Sequence, residues 1–397
     1  MDRRKQLIEF IEANGDTYKK IALDIHEHPE VSNYEFYACK RLSEQLAEEG
    51  FEVKTDVAGH RTGFSAVYRS GRPGPVLAFL AEYDALEGLG HGCGHNLFGA
   101  TSLLAAAALK KVIRETGGEV RVYGTPGEEG GENGSAKGSF VREGFFREVD
   151  AALCVHPGAD THKLTGVSLG CAPVDIEFWG RAAHASGAPE KGINALDGIL
   201  QVYNSINALR QHLSKDVRIH GIIANGGDAP NIVPEYAKAK FYLRAATAPK
   251  LEEVYQKVEH IVEGAALATG ARGRIQPYQN RVENTIPTPS FDAVYEKNLK
   301  LFGEVITPAE KNGPLGSTDV GNVSQVIPVI QPHISITDVP VAGHSEEMKA
   351  AACSGKGLAS VLLGAKVLSF TALDLLEDRQ LLAKIKEEHK RLLQEQN

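Results

Sequence analysis

The chain has no block of like charge, no apolar run of membrane-spanning length and no regular cysteine framework, and each absence removes a class of protein. Its 43 Lys and Arg are interleaved with 51 Asp and Glu for a net charge of −8. A nucleic-acid or membrane-surface partner needs gathered positive charge, so neither is expected. The apolar stretch 97–109 is too short and too Ala-rich for a membrane span. Met1-Asp2-Arg3-Arg4-Lys5 leads into an amphipathic helix without the apolar core or small-residue cleavage site of a signal peptide, so a cytoplasmic location is expected. The five cysteines, Cys39, Cys93, Cys154, Cys171 and Cys353, are an odd number without regular spacing, which fits a reducing compartment. Four of them read as small buried hydrophobes. There is no internal repeat and no low-complexity tract.

What is present is a large globular pattern. A length of 397 residues exceeds what one hydrophobic core usually supports, so two domains are expected. Helical periodicity at 2–27 and 34–50 gives way to strand patterns at 52–57, 63–69 and 76–82, a helix at 97–115, and strands at 119–124 and 150–155. This alternation predicts an α/β domain, a mixed sheet with helices on both faces. From 172 to 282 the order becomes strand 173–179, helix 195–213, strand 218–224, strand 235–245, helix 250–269 and strand 272–278. That βαββαβ order predicts a ferredoxin-like domain inserted into the larger one. The expected boundaries are therefore 1–171 and 283–397 for the catalytic domain and 172–282 for the insertion. The charged tail 377–397 reads as a solvated helix.

The chemistry sits in four places. Gly88-Leu89-Gly90-His91-Gly92-Cys93-Gly94-His95-Asn96 follows the apolar run 75–81 and Glu82-Tyr83-Asp84, and opens onto an Ala/Leu helix. A thiolate and an imidazole two residues apart on such a loop form half of a metal site. Thr125-Pro126-Gly127-Glu128-Glu129-Gly130-Gly131 and Val155-His156-Pro157 each follow a short strand-like segment, as ligand loops at a sheet end do. Adjacent glutamates can diverge, one to a metal and one free to move protons. His344 in Ala342-Gly343-His344-Ser345-Glu346-Glu347 suits a ligand as well as a helix start with Ser345 as cap. Cys, His and Glu donors together match zinc or a similar first-row ion, and five exceed one structural zinc site.

In this order, with Gly180-Arg181-Ala182-Ala183-His184-Ala185 added, the motifs resemble the di-metal aminoacylase and carboxypeptidase family. Within it they are similar to the amidohydrolase branch of aminobenzoyl-glutamate hydrolase, indole-acetyl-amino-acid hydrolases and certain dipeptidases. The resemblance covers nearly the whole chain. It implies that Cys93 bridges two divalent metals, with Zn, Mn or Co as candidates, and that His95, Glu129, His156 and His344 complete their shells. Glu128 is then the general base. Glu82 stands where many relatives carry a ligand His, and the Cys93-x-His95 pair replaces that imidazole. Asp84 orients a ligand ring. Asn96 departs from the branch, much of which has Asp there.

The same resemblance makes the insertion a lid and homodimerisation domain whose His184 steadies the tetrahedral oxyanion across the dimer. Asn231 and Arg244 form a pair for the substrate's terminal carboxylate, which suits a guanidinium fork. Gly316-Ser317-Thr318-Asp319 lines the pocket. The expected activity is metal-dependent hydrolysis of the amide of a small-molecule N-acyl amino acid or dipeptide with a free carboxylate. Two alternatives are a cysteine amidase with Cys93 as nucleophile and His95 as base, and a catalytically silent metal- or ligand-binding module.

Overall fold

The computed structural model describes residues 2–308 and 316–396. These divide into two compact units, one of 2–167, 285–308 and 319–396, the other of 168–284 and 316–318. In chain order the first unit contributes α1 (Arg3–Glu27), α2 (Phe36–Glu48), β1 (Glu52–Val57), β2 (His60–Arg69), β3 (Val76–Ala81), α3 (His95–Thr116), β4 (Glu119–Gly124), α4 (Ala136–Arg142), β5 (Ala151–Leu153) and β6 (His156–Gly158). The insertion holds β7 (Gly170–Trp179), α5 (Ala195–Arg210), β8 (Arg218–Asn225), β9 (Tyr236–Ala245), α6 (Ala248–Thr269) and β10 (Arg272–Pro277). The first unit resumes with α7 (Pro289–Lys300), α8 (Val320–Ser324), β11 (Val329–Ile330), β12 (His333–Ser335), α9 (Glu346–Ala351), α10 (Gly355–Glu377) and α11 (Arg379–Gln396).

In the first unit six strands order as β1-β2-β4-β3-β5-β11. β3 runs parallel to β4 and β5, while β1, β2 and β4 pair antiparallel, so the sheet is mixed. Alternation along β3 explains the layering: Leu77, Phe79 and Ala81 join a core with residues of α1, α3 and α10, while Ala78 and Leu80 join another with Phe140 of α4 and Val320 and Val323 of α8. Helices therefore cover both faces, and β3 reads as a continuous apolar run. Two parallel pieces, β6 and β12, set His156 opposite His333.

Two expectations need correction here. α3 and α10 are each long and apolar enough to cross a membrane, although 97–109 alone read as too short, and most of each is buried in the protein. The C-terminal tail is helical but solvated on one face only: Leu382, Ile385 and His389 are buried at helical spacing, and His389 Nε2 lies 2.6 Å from the Ser324 carbonyl.

The insertion is an antiparallel sheet ordered β10-β7-β9-β8 with α5 and α6 packed on it. Val174, Ile176 and Phe178 of β7 meet Ile199, Val202 and Ile206 of α5 and Val254, Val258 and Val262 of α6. The unit starts at 168 rather than 172 and runs to 284 rather than 282, because Cys171 pairs through its backbone with Val282. β8 is an edge strand, with Ile222 64% and Ile223 44% exposed.

Candidate metal centre

The loop after β3 places the first donors. Tyr83 turns inward, its hydroxyl donating to the Thr62 carbonyl at 2.6 Å, and Glu82 and Asp84 on either side of it are fully buried. Gly94 starts α3 with φ of +82°, and a Cβ there would lie 2.9 Å from Pro157. Only glycine lets the loop approach the strand carrying His156 so closely. His95, the first residue of α3, has Nδ1 2.9 Å from Asp84 Oδ1. A ring donating through Nδ1 presents its Nε2 lone pair to the site. His156 is fixed in the same sense, because its Nδ1 donates to the Pro157 carbonyl at 2.7 Å while its Nε2 stands 3.5 Å from Cys93 Sγ.

The loop after β4 brings the glutamates. Gly127 has φ of +68°, and its amide donates to Glu35 Oε1 at 2.9 Å. The Glu129 amide donates to Asp84 Oδ2 at 2.9 Å, so one carboxylate braces both His95 and this loop. Glu129 Oε1 lies 3.4 Å from His344 Nε2. His344 adopts φ of +56°, an uncommon conformation for a non-glycine residue and one that clusters at functional sites. Its amide donates to the Gly92 carbonyl, and Ser345 caps α9 by accepting from the Met348 amide.

Six of the sequence-predicted residues therefore come together. Donor atoms lie within 4.8 Å of one another in three sets: Cys93 with His95 and His156, Cys93 with Glu129 and His344, and His95 with Glu128 and Glu129. Cys93 belongs to two sets, as a bridging donor would. His95 Nε2 and Glu129 Oε1 are buried without a hydrogen-bond partner, a costly state that a bound cation relieves. The residues fit divalent metal.

Electrostatics agree. Burial pushes the Cys93 thiol well up, so its thiolate needs a cation beside it. Burial, then the Glu82 and Glu129 carboxylates, holds the Glu128 carboxyl well above its ordinary value. Burial also acts on Glu129, but His344 and His95 outweigh it and hold that carboxyl down. The two adjacent glutamates are thus driven apart, one toward carrying a proton and one toward permanent charge.

Sequence reasoning missed what lies beneath. Lys137 of α4 is fully buried, with Nζ 2.6 Å from Asp319 Oδ1 and 2.8 Å from Glu82 Oε1. Asp319 is therefore not a pocket wall as expected but the buried partner of Lys137, and Gly316–Thr318 belong to the other unit. A lysine in the small-residue run Gly134-Ser135-Ala136-Lys137-Gly138-Ser139 was the available signal. Asn96 also acquires a reason. Its amide donates to the Ala22 and Ala352 carbonyls at 3.1 and 3.0 Å, which an aspartate could not do.

Three predicted residues lie in the insertion. His184 is exposed, and its Nδ1 accepts from the Ser186 and Gly187 amides, which leaves the ring proton on Nε2. Its strand piece pairs with Ile232, beside Asn231, whose carbonyl accepts from the Ala185 amide. Arg244 is elsewhere, its guanidinium 2.8 Å from Ser317 Oγ and 3.2 Å from His220 Nε2. Asn231 precedes the start of β9 and Arg244 lies near its end.

Comparison with known proteins bears on this geometry. Residues 169–269 match the family model described as a peptidase dimerisation domain. The human Xaa-Arg dipeptidase is 33% identical over 98% of this chain and 92% of its own length. The chain belongs to the M20 peptidase family. A p-aminobenzoyl-glutamate hydrolase polypeptide of Escherichia coli is 30% identical over 96% of this chain and 94% of its own. The fold also matches a dinuclear metal-binding M20 peptidase from Bacillus subtilis, with a TM-score of 0.62, 20% identity and coverage of 91% and 99% of the two chains. As an M20 peptidase the protein is a hydrolase that uses divalent metal.

Proposed function

We propose that the protein is a two-metal amidohydrolase that cleaves the amide bond of an N-acyl amino acid or dipeptide carrying a free carboxylate. The observation that carries this reading is the convergence of Cys93, His95, Glu129, His156 and His344 in overlapping donor sets, with Glu128 beside His95 and Glu129. Relatives named for dipeptides, aminobenzoyl-glutamate and hippurate share that substrate chemistry, an acyl group on an amino acid. When bound, the ions lower the pKa of water from ~15.7 toward ~7 and polarise the scissile carbonyl. Zn and Mn suit the mixed thiolate, imidazole and carboxylate donors, and Co is a workable substitute.

Glu128 then takes the proton of the attacking water and passes it to the leaving amine nitrogen, a transfer suited to a carboxyl held high. Asp84 fixes the His95 ring and the Glu129 backbone together. His184, whose Nδ1 accepts from the Gly187 amide, is the oxyanion hydrogen-bond group, and Arg244 is the bidentate anchor for the substrate carboxylate.

A homodimer is part of the proposal. Its supports are the match to a dimerisation domain and the exposed β8 edge with Ile222 and Ile223. The cysteine-amidase reading is disfavoured because it gives no role to Glu129 and His344, whose donor atoms gather with Cys93. Screening the purified metal-loaded protein against aminobenzoyl-glutamate, N-acetyl amino acids and basic or β-alanyl dipeptides tests the substrate class. Turnover of none of them contradicts it.

A further inference from the structure

Glu128 lies between two backbone amides, and a buried carboxyl group holds each of them. On one side the Glu129 amide donates to Asp84 Oδ2, and on the other the Gly127 amide donates to Glu35 Oε1, both at 2.9 Å. The two braces differ in what else they hold. Asp84 also bonds the His95 ring, whereas the second oxygen of Glu35 accepts from the Thr62 hydroxyl at 2.8 Å.

Glu35 stands at the start of α2 and is fully buried. The residues just before it lie along the same glutamate loop. Asn33 Nδ2 donates to the Glu132 and Asn133 carbonyls at 3.0 and 2.9 Å, and a Cβ on Gly127 would lie 2.4 Å from Ser32 Oγ. Segment 32–35 therefore grips the loop at both ends, at Gly127 and at 132–133.

The geometry points to Glu35 as a positioning residue for Glu128: through the Gly127 amide it fixes the peptide from which the proton carrier projects. This inference rests on the two-metal amidohydrolase reading, in which Glu128 moves the proton. Proton transfer works only over roughly 2.6–3.2 Å between heavy atoms, and a displacement of about 1 Å can cost ~10²-fold. Burial, then the Asp84 charge, pushes the Glu35 carboxyl up to about 8. It is therefore largely neutral at pH 7, and a neutral Gln amide is a close substitute that still offers an oxygen to Gly127.

The test uses the metal-loaded full chain and a substrate that it turns over. Glu35→Met keeps the side-chain length and removes the acceptor, so the Gly127 donor is left unpaired. Its kcat falls roughly 10–100-fold, while KM and the two ions bound per chain stay as in the wild type. Glu35→Gln restores most of the loss. In the metal-free chain, amide hydrogen exchange across residues 126–129 quickens in Glu35→Met and not in Glu35→Gln. Placed in a Glu128→Gln background, Glu35→Met lowers kcat no further, because the group that it positions is already gone. Thr62→Val, which removes the hydroxyl on the other oxygen of Glu35, shows the same split in smaller measure if Glu35→Met does not accumulate folded. An equal loss in both backgrounds, or no loss of kcat in either variant, overturns the role of Glu35 alone. A metal-loaded wild-type chain that turns over no substrate in the panel overturns the amidohydrolase reading and this role with it.

Discussion

Asp84 Oδ1 lies 2.9 Å from His95 Nδ1, deep beneath the surface. Its second oxygen holds the Glu129 amide, so two loops separated in sequence share one brace. Asp84→Asn leaves volume unchanged but weakens the charge-assisted bond to the ring. Metal affinity should fall by roughly 10–100-fold, measured by chelator competition. Unchanged affinity would mean that Asp84 is needed only for folding.

The adjacent glutamates should separate cleanly. Glu128→Gln should retain metal and lose roughly 10²–10⁴-fold in turnover, because it removes proton transfer without removing a donor. Glu129→Gln should lose metal, since an amide is the poorer ligand. Metal analysis alongside kcat decides the matter, and metal loss in Glu128→Gln alone would reverse the two roles.

Much of this site was legible because its motifs are local. Cys93-x-His95 and Glu128-Glu129 each sit on a Gly-rich turn at a strand end, and the βαββαβ order shows in periodicity spanning 170–277. The pieces β6, β11 and β12 are only two or three residues long, too short for a period of two to declare itself. The Lys137–Asp319 pair joins residues 182 positions apart, which no local pattern encodes.

His60 offers a pH test away from the metal. Burial lowers its pKa from the usual 6.5 to about 4, while its ring bonds Asn33 Oδ1 at 2.7 Å and Ser139 Oγ at 2.9 Å. The unfolded chain takes up this proton before the folded chain does. The stability due to neutral burial is therefore complete above about 6.5 and lost as pH falls toward about 4. The urea midpoint of the metal-free protein should drop across that window, and His60→Gln should flatten the drop. An unaltered slope in the variant would assign the titration to other groups.

Roles in the insertion separate by kinetics. Arg244→Ala should raise KM strongly and blunt the preference for a free carboxylate over its amide. His184→Ala should mainly lower kcat, because an oxyanion donor acts most strongly in the transition state. If His184 acts across a dimer, mixing His184→Ala with Glu128→Gln chains should restore partial activity. Verified exchange of chains without recovery would remove the cross-chain role.

The central claim, that Cys93 serves as a metal ligand within a two-metal hydrolytic centre, is tested most directly by one comparison on an active substrate from the acyl-amino-acid panel. Activity should vanish with chelator and return with about two equivalents of divalent metal per chain, and the bound metal should protect Cys93 from alkylation. Activity that survives metal removal but is abolished by alkylation would contradict the account and make Cys93 the nucleophile.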